Sequence, residues 1–296
     1  MKFGSTETPE LINFSLPKDH WDTTVLLGQN QKKSVPQIHI GCAKWNRQDL
    51  KNFYPRGTKD QLVYYASQFN SIELNATFYR IFPAEQHQKW YDKTPEDFKF
   101  FPKVNNEISH LRRLNDAIYP AIDRYLDVTA NLKEKLGTIF LQLHNNFGPK
   151  NWDRVVRFVA YWPKEFPLSM EFRHTDWFND EKVAQELYHL LEENNISNTL
   201  VDTAGRRDIM HMRLTNDEAF IRYVGANHES DYARLDDWVE KLADWRNKGL
   251  NNIHFFVHQN MELASPLLSA YFIKKLNAKL GTDLKIPKTL RDAHLK

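Results

Sequence analysis

From residue 37 onward the sequence alternates short apolar runs with longer amphipathic stretches. Within the runs, apolar residues recur at the two-residue period of a pleated strand, and in most of the stretches that follow they recur on one face of a helix. Strands that alternate with helices predict a parallel sheet. Eight segments have the strand pattern: residues 38–42, 71–74, 98–103, 138–143, 168–173, 199–202, 219–224 and 253–258.

Start and stop signals support the helices between these strands. Thr58 and Gln61 have the spacing of a capping box. Asp236 precedes an amphipathic stretch that ends at Gly249, and Pro266 opens another amphipathic stretch. These signals predict helices after the first, seventh and eighth strand segments.

Eight strand–helix units in about 260 residues favour a closed (β/α)₈ barrel of the TIM type over an open, doubly wound sheet, which is the alternative. Residues 1–36 differ from the rest, because they contain Pro9, Pro17 and Pro36 among polar residues without a sustained period. We therefore predict an N-terminal extension over residues 1–36 that packs over the surface. Residues 37–296 are predicted to form a single barrel domain.

Several strands carry polar residues in the phase opposite to their apolar neighbours. In the stretch SIELNATFYR, Ile72 and Leu74 are predicted to face helices, so Glu73 and Asn75 face the barrel interior. Barrel enzymes place their chemistry at the carboxyl ends of the strands, where these residues lie. The catalytic candidates are Glu73, Lys103, Glu171 and Asp202, and the ligand-binding candidates are Trp45, Asn75, Thr77, Tyr79, His144, Arg173, Arg222 and His258.

A structural interpretation of these charges is the alternative. Three acidic and three basic candidates could neutralise one another and simply fill the barrel interior. However, each buried charge costs several kcal/mol to desolvate, so an apolar filling would be less costly. The concentration of ionisable residues at one end therefore favours a ligand-binding or catalytic site.

Seven blocks carry a resemblance to a known family. They are IGCAKW at 40–45, LVYYASQFNSIELNATFYR at 62–80, FKFFPKV at 98–104, ISHLRRL at 108–114, KLGTIFLQL at 135–143, MEFRHTDWF at 170–178 and FIRYVG at 220–225. Taken together, and in this order, they resemble the YecE-like family, a group of domains of unknown function (family 72). The resemblance implies a TIM-type barrel and no established reaction. It also implies that the shared polar positions of the family are Glu73, Asn75, Thr77, Tyr79, Lys103, Glu171, Arg173 and Asp202.

Composition narrows the range of partners and compartments. The chain has 40 Lys and Arg against 38 Asp and Glu, so its net charge of +2 gives no general affinity for nucleic acids or membranes. Neither a signal peptide nor an apolar run long enough to span a bilayer is evident, and Cys42 is the single cysteine. We expect a cytoplasmic protein without membrane contact. No Gly-rich phosphate loop is present, and we expect no cofactor.

The first functional hypothesis is acid–base catalysis without a metal. Glu171 or Glu73 would move a proton, while Lys103, Arg173 and Arg222 would stabilise a phosphate or carboxylate group of the ligand. The predicted partner is therefore an anionic small molecule. The reaction class would be that of a hydrolase, lyase or isomerase.

The second hypothesis is a metal-dependent phosphodiesterase or isomerase. In this case His144, Glu171, Asp202 and His258 would be the ligands. Three nearby cations and the absence of an HxH or HExxH pair argue against it, so we predict no metal.

The third hypothesis is a binding module without catalysis. Trp45, Tyr79, Trp177 and Phe178 follow strands and could stack on bases or sugars, with cations holding phosphates. The partner would then be a nucleic acid or a sugar.

Overall fold

The computed structural model of the protein describes residues 4–289. Residues 1–3 of the predicted extension and residues 290–296 of the predicted barrel domain lie outside this part. Each of the eight predicted strand segments coincides with a strand, and one further short strand is present. The strands are β1 (Gln37–Cys42), β2 (Ser71–Leu74), β3 (Lys99–Pro102), β4 (Ile139–Gln142), β5 (Leu168–Glu171), β6 (Ser197–Asn198), β7 (Leu200–Thr203), β8 (Glu218–Gly225) and β9 (Asn252–Gln259).

The additional strand arises at a break in the chain at Thr199. β6 pairs with β5 and β7 pairs with β8, and the Thr199 amide donates to the Met170 carbonyl at 2.9 Å. One extended stretch of chain therefore contacts strands of two different sheets.

Ten α-helices fill the connections and the N-terminal region of the described chain. They are α1 (Trp21–Gln29), α2 (Gln61–Gln68), α3 (Ala76–Tyr79), α4 (Ala84–Asp92), α5 (Tyr119–Thr129), α6 (Trp152–Tyr161), α7 (Asp176–Asn179), α8 (Glu181–Glu193), α9 (Ser230–Lys248) and α10 (Ser265–Leu280).

Two predicted helix starts were wrong in position. Asp60, not Thr58, caps α2, because its carboxylate accepts hydrogen bonds from the second and third amides of that helix. α9 begins at Ser230 rather than near Asp236, and the buried Asp231 carboxylate in its first turn accepts from the Ala226 amide at 2.8 Å. The predicted Pro266 start of α10 is confirmed.

The strands pair in parallel throughout the described residues. They form three sheets, with the orders β1-β9-β8-β7, β2-β3 and β4-β5-β6. The fold is therefore mixed α/β with parallel sheets. The predicted (β/α)₈ ring is not continuous in the described residues, since strand hydrogen bonding is interrupted between the three sheets.

The interruption between β1 and β2 has a specific cause. The side chain of Asn70 accepts from the Ile40 amide at 3.0 Å and donates to the Ile38 carbonyl at 2.8 Å, taking the place of a backbone partner. The two strands still approach closely, because a Cβ on Gly41 would lie 2.2 Å from the Ser71 carbonyl oxygen. Glycine is therefore required at position 41.

Between the second and third sheets, isolated bridges replace a full ladder. Phe100 pairs with Leu136, and Lys103 pairs with Phe140. These contacts bring the end of β3 next to β4.

Apolar side chains of the strands and helices form three large buried clusters. A fourth, smaller cluster consists of four fully buried phenylalanines, Phe101, Phe140, Phe220 and Phe256. They come from or adjoin strands of all three sheets, so this cluster lies where the three sheets meet.

The N-terminal segment packs on the outside of the strands and helices. The Thr23 hydroxyl donates to the Met212 carbonyl at 2.9 Å, and Asp19 accepts from Lys241 at 2.7 Å and from Trp245 at 3.1 Å. Lys241 and Trp245 belong to α9. These contacts agree with an extension that covers the surface, while the domain boundary itself stays a prediction.

Candidate functional site

A layer of polar side chains lies next to the phenylalanine cluster. Side chains two positions apart on a strand point to the same side. The residues two positions after the four phenylalanines are Lys103, Gln142, Arg222 and His258. Lys103 directly follows β3, Gln142 ends β4, and Arg222 and His258 lie in the carboxyl-terminal halves of β8 and β9. This is the side of the sheets on which the sequence pattern predicts the site.

Arg222 is the centre of this layer. Its guanidinium donates two hydrogen bonds to Glu73 of β2, at 2.8 and 2.9 Å, and a third to Glu171 of β5, at 2.6 Å. His258 Nε2 lies 2.8 Å from a Glu73 oxygen, and Asn75 donates to the other at 2.8 Å. One arginine thus joins carboxylates from two sheets.

Glu171 has further partners on its other side. Arg173 forms an ion pair with Glu171 Oε1, and Gln142 donates to both Glu171 oxygens at 3.0 and 3.2 Å. Both carboxylates of the layer, Glu73 and Glu171, have no exposed surface. Every oxygen of the two carboxylates accepts at least one hydrogen bond, which is the condition for burying such charges.

Lys103 belongs to the same layer but has a different environment. Its ammonium donates to Gln142 Oε1 at 2.8 Å and lies 4.1 Å from the centre of the Phe78 ring. Among residues 4–289, no carboxylate lies within 4.0 Å of its Nζ. The two nearby carboxylates are instead engaged by Arg173 and Arg222.

These surroundings separate the pKa values of the ionisable groups. Burial raises the pKa of Glu171, but Arg173 and Arg222 lower it to about 2. Burial likewise opposes ionisation of Glu73, yet Arg222 and His258 hold its pKa well below the ordinary value. The pKa of Lys103 falls to about 7, first because of burial and then because of Arg222. At neutral pH both carboxylates are charged, whereas Lys103 is close to half protonated.

A cavity of about 540 Å³ opens above the polar layer, and we call it the mouth cavity. Its base consists of Lys103, Gln142, Arg173, Arg222 and His258, whereas Glu73 and Glu171 do not line it. Glu73 and Glu171 lie beneath the basic groups, so the base of the cavity presents lysine, arginine, histidine and glutamine side chains to a ligand.

The rim of the mouth cavity comes from loops after β1 and β9. Two carboxylates of this rim have partners of their own: Asp49 pairs with Lys44 at 3.2 Å, and Glu262 accepts from Ser265 at 2.6 Å. Met261, which is largely exposed, adds an apolar edge.

Asp202 differs from its predicted position. It forms a separate buried cluster, in which Arg207 pairs with its carboxylate and both Arg234 and Trp238 donate to it at 2.8 Å. The physical reason is strand phase. Asp202 shares the phase of Leu200, which packs into an outer core cluster beneath α9, so it points away from the interior.

Three further candidates lie in or next to α3. The Thr77 hydroxyl is buried and donates to the carbonyls of Leu74 and Lys103 at 2.9 and 2.8 Å, which fixes the backbone at the end of β3. Asn75 supports Glu73, as described above. Tyr79 is 76% exposed and does not line the mouth cavity, because the chain turns into a helix after β2.

The aromatic and histidine candidates are dispersed. Trp45 packs edge-on against Trp90, and the buried Trp177 donates to the Phe147 carbonyl at 2.6 Å. Phe178 lies against His211, with 5.0 Å between the ring centres. His144 lies edge-on to a histidine that is not among the candidates predicted from the sequence.

That histidine is His110, which lies in a π-helical turn over Glu107–Leu111. Its ring lies 4.8 Å from Phe78 and 5.4 Å from His144. Burial, followed by the charge of Lys103, lowers its pKa to about 4. π-Helical turns often occur at functional sites, but nothing in the local sequence pattern identifies one. Its position in the ISHLRRL block was the available signal.

The described residues do not assemble a metal-binding cluster: within 4–289, no three His, Cys, Asp or Glu side chains are arranged to hold a metal ion. The ligands of the metal hypothesis have separate partners, since Asp202 contacts Arg234 while His258 contacts Glu73. In the same range, no helix combines the length and apolar character needed to cross a bilayer.

The fold and site together define an α/β protein with parallel sheets and a basic cavity at the carboxyl ends of its strands. The family model described as "Protein of unknown function DUF72" matches residues 39–291. The chain belongs to the DUF72 family, as the resemblance predicted.

Curated relatives agree with this assignment. The chain is 28% identical over 233 residues to the UPF0759 protein YecE of Escherichia coli K12, a match that covers 70% of this chain and 82% of that protein. It is 27% identical over 245 residues to the UPF0759 protein YunF of Bacillus subtilis 168, covering 73% of this chain and 84% of the relative.

Solved structures of the same family share the fold. A DUF72 family protein from Enterococcus faecalis V583 has a TM-score of 0.66 at 18% identity, covering 85% of this chain and all of that one. A DUF72 family protein from Thermotoga maritima MSB8 has a TM-score of 0.66 at 21% identity, covering 81% and 99% respectively.

Proposed function

We propose that the protein is an enzyme that binds an anionic substrate, carrying a phosphate or carboxylate group, in the mouth cavity. One observation carries this proposal: three basic side chains line the base of the cavity, and the carboxylates that pair with two of them lie underneath. An anion in the cavity would face Lys103, Arg173 and Arg222 without a carboxylate in between. Such preorganised positive charge in a partly desolvated site favours an anion strongly.

The roles of the individual groups follow from their protonation. With a pKa of about 2, Glu171 is too weak a base to move protons efficiently at neutral pH. We assign Glu171 and Glu73 the task of holding Arg173 and Arg222 in position. Lys103, with a pKa of about 7, is matched to proton transfer at neutral pH. The acid–base hypothesis gave proton transfer to Glu171 or Glu73. We assign proton transfer to Lys103 instead.

We further propose that the three sheets are parts of one TIM-type barrel. Thr138, Glu218 and His254 stand two positions before the phenylalanines of their strands, and Glu218 accepts from Thr138 at 2.9 Å and lies 3.0 Å from His254. Together with the phenylalanine cluster and the polar layer, they suggest three stacked layers of interior side chains. Layers of this kind fill the interior of TIM barrels.

Calorimetric titration with inorganic phosphate and with glycolate at low ionic strength tests the proposed anion site. Arg173→Met should weaken binding by about tenfold or more, since a hydrogen bond to a charged group contributes about 1.5–3 kcal/mol. Arg157→Met is the matched control, because Arg157 pairs with Asp116 on the exposed surface. A protein that binds neither anion, or an Arg157 variant as impaired as the Arg173 variant, contradicts the proposal.

Turnover is tested separately by NMR of mixtures of phosphorylated and carboxylated metabolites incubated with the protein. The proposal expects conversion of at least one anionic compound, and loss of that conversion in Lys103→Met. A compound converted equally well by Lys103→Met would remove Lys103 from the proposed role.

A second candidate function, binding of single-stranded nucleic acid, is favoured by the surroundings of Tyr79. This exposed ring lines a groove of about 620 Å³ with Arg80, Arg112 and Arg124, against which Glu107 supplies one negative charge. Stacking on Tyr79 with backbone contacts to the arginines is the expected mode. Salt-dependent binding to a single-stranded oligonucleotide that Tyr79→Ala weakens would support it, and no binding at low salt would exclude it.

A further inference from the structure

Lys103 is an unusual buried lysine. Only 8% of its surface is exposed, and within residues 4–289 its ammonium has Gln142 as hydrogen-bond acceptor and no carboxylate within 4.0 Å. Lys135 provides a comparison: it is also buried, but its ammonium donates to the carbonyls of Tyr91 and Thr94, both at 2.7 Å, and it does not line the mouth cavity. Lys135 is held by fixed acceptors, whereas Lys103 is directed at a cavity.

Charged groups on the neighbouring elements disfavour the ammonium form of Lys103. Burial is the largest effect, and Arg222 and Arg173 add repulsion, while Glu171 and Glu73 oppose them in part. His110 is also near Lys103, and the charge of Lys103 helps to lower the pKa of His110. With a pKa of about 7, Lys103 carries a neutral amine, the nucleophilic form, in about half of the molecules at pH 7.

The cavity places an anion-binding group beside this amine. Arg173 and Arg222 line the same cavity as Lys103, and all three are at its base. An anion held by the guanidiniums would bring an adjacent carbonyl carbon of the same molecule toward Nζ. Phe78 and Phe140 flank Nζ, at 4.1 and 6.0 Å from their ring centres, and limit access of water.

We propose that Lys103 is a nucleophile that forms an imine with the aldehyde or ketone group of an anionic carbonyl compound bound in the mouth cavity. This inference rests on the anion site of the proposed function and names its substrate class, and it gives Lys103 a covalent role in place of proton transfer. The amine lone pair forms a C–N bond to the carbonyl carbon, and the C=O π electrons move to oxygen. Both amine protons and that oxygen then leave as one water molecule, so that R–NH₂ and O=CR′₂ give R–N=CR′₂ and H₂O. When solvent protonates the imine nitrogen, the iminium group can accept the electron pair of a bond that breaks at the carbon next to the imine carbon.

Glyoxylate with sodium cyanoborohydride is the direct probe, because it combines an aldehyde with a carboxylate and reduction makes the imine permanent. Intact-mass and peptide mass spectrometry of the wild-type protein should locate one carboxymethyl group on Lys103. At pH 7 labelling of Lys103 should be about tenfold or more faster than labelling of exposed lysines, since their pKa lies near 10.4 and little of their amine is neutral. Inorganic phosphate should protect Lys103 by competing for the guanidiniums.

Variants distinguish specific labelling at Lys103 from general labelling of lysines. Lys103→Arg should lose the specific adduct, and Lys135→Arg, at the buried lysine outside the cavity, should retain it. Arg173→Met should slow labelling of Lys103 by about tenfold, in line with the loss of one charged hydrogen bond. Label distributed over exposed lysines, or a Lys103 rate no higher than theirs, overturns the inference.

Failure of this inference is distinguishable from failure of the proposed function. If calorimetry shows glycolate and phosphate binding that depends on Arg173 but glyoxylate gives no adduct at Lys103, the imine is excluded and the anion site stands. If neither anion binds, both proposals fall together.

Discussion

The guanidinium of Arg222 holds the carboxylate of Glu73 through two hydrogen bonds, of 2.8 and 2.9 Å, one to each oxygen. Bidentate geometry of this kind fixes the orientation of both groups, which a lysine cannot reproduce. The pair joins β8 to β2, which belong to different sheets. It therefore aligns the base of the mouth cavity and also connects two parts of the fold.

Removing Arg222 should destabilise the protein strongly. Arg222→Met leaves Glu73 and Glu171 buried with fewer partners, and breaking a buried ion pair in this way costs about 3–5 kcal/mol of unfolding free energy. Urea denaturation at pH 7 measures the loss. Arg157→Met, at an exposed pair with Asp116, should change stability by less than about 1 kcal/mol. Equal effects of the two substitutions would show that the buried network has no special energetic role.

Acid stability should depend on Glu171. Its pKa is about 2 in the folded protein and near the ordinary 4.5 in the unfolded chain. A lowered pKa contributes stability that is fully present above about pH 4.5 and is lost as the pH falls toward 2. At about 1.4 kcal/mol for each pH unit, the contribution is about 3 kcal/mol. Glu171→Gln should therefore be less stable than the wild type at pH 7, and the difference should shrink as the pH falls from 4.5 to 2.

Urea titrations at several acidic pH values give this comparison directly. Carboxyl groups outside the polar layer titrate alike in the two proteins, so their contributions cancel in the difference. A gap that stays constant from pH 5 to pH 2 would contradict the lowered pKa of Glu171 in the folded protein.

Lys103 predicts a second rise of stability with pH, on the alkaline side. Its pKa is about 7 in the folded protein against an ordinary 10.5, so between these values the unfolded chain binds more protons and stability rises with pH. The burial penalty is complete below pH 7 and is relieved as the pH rises toward 10.5. Lys103→Met removes the penalty, and its stability relative to the wild type should be most favourable near pH 6 and decline by a few kcal/mol by pH 10.

The measurement is urea denaturation of both proteins between pH 6 and pH 10. The Lys135→Met variant, lacking the buried lysine outside the mouth cavity, serves as the control for loss of lysine packing. A stability difference between Lys103→Met and wild type that does not vary over this range would contradict the lowered pKa.

Strand phase was the part of the fold that the sequence pattern could predict. The alternation around Glu73 and Glu171 indicates interior carboxylates, and both lie in the polar layer with Arg222. The side of the sheet to which a strand residue points depends only on the two-residue repeat, so it can be predicted without knowledge of tertiary contacts. The same rule, applied consistently, places Asp202 with Leu200 on the outer side.

Other features depend on contacts that are distant in the chain. Asn70 interrupts strand pairing through its side chain, which no periodicity reveals. Tyr79 lies outside the mouth cavity because the chain forms the helix α3 directly after β2. His110 reaches the environment of Lys103 through a π-helical turn. In each case the tertiary structure determines a local conformation or contact that the strand and helix periods of the sequence do not predict.

Asp202 gives a prediction that separates structure from function. Its carboxylate is fully buried and accepts from Arg234 and Trp238, both at 2.8 Å, outside the polar layer. Asp202→Asn removes the charge from this buried cluster and should lower the unfolding free energy by about 3 kcal/mol. Phosphate affinity at low ionic strength should stay within about twofold of the wild type at a temperature where both are folded, because none of these partners lines the mouth cavity. Calorimetry measures the phosphate affinity, and urea denaturation of the same preparation measures the unfolding free energy. A large loss of phosphate affinity would place Asp202 in the functional site after all, as the sequence pattern first indicated.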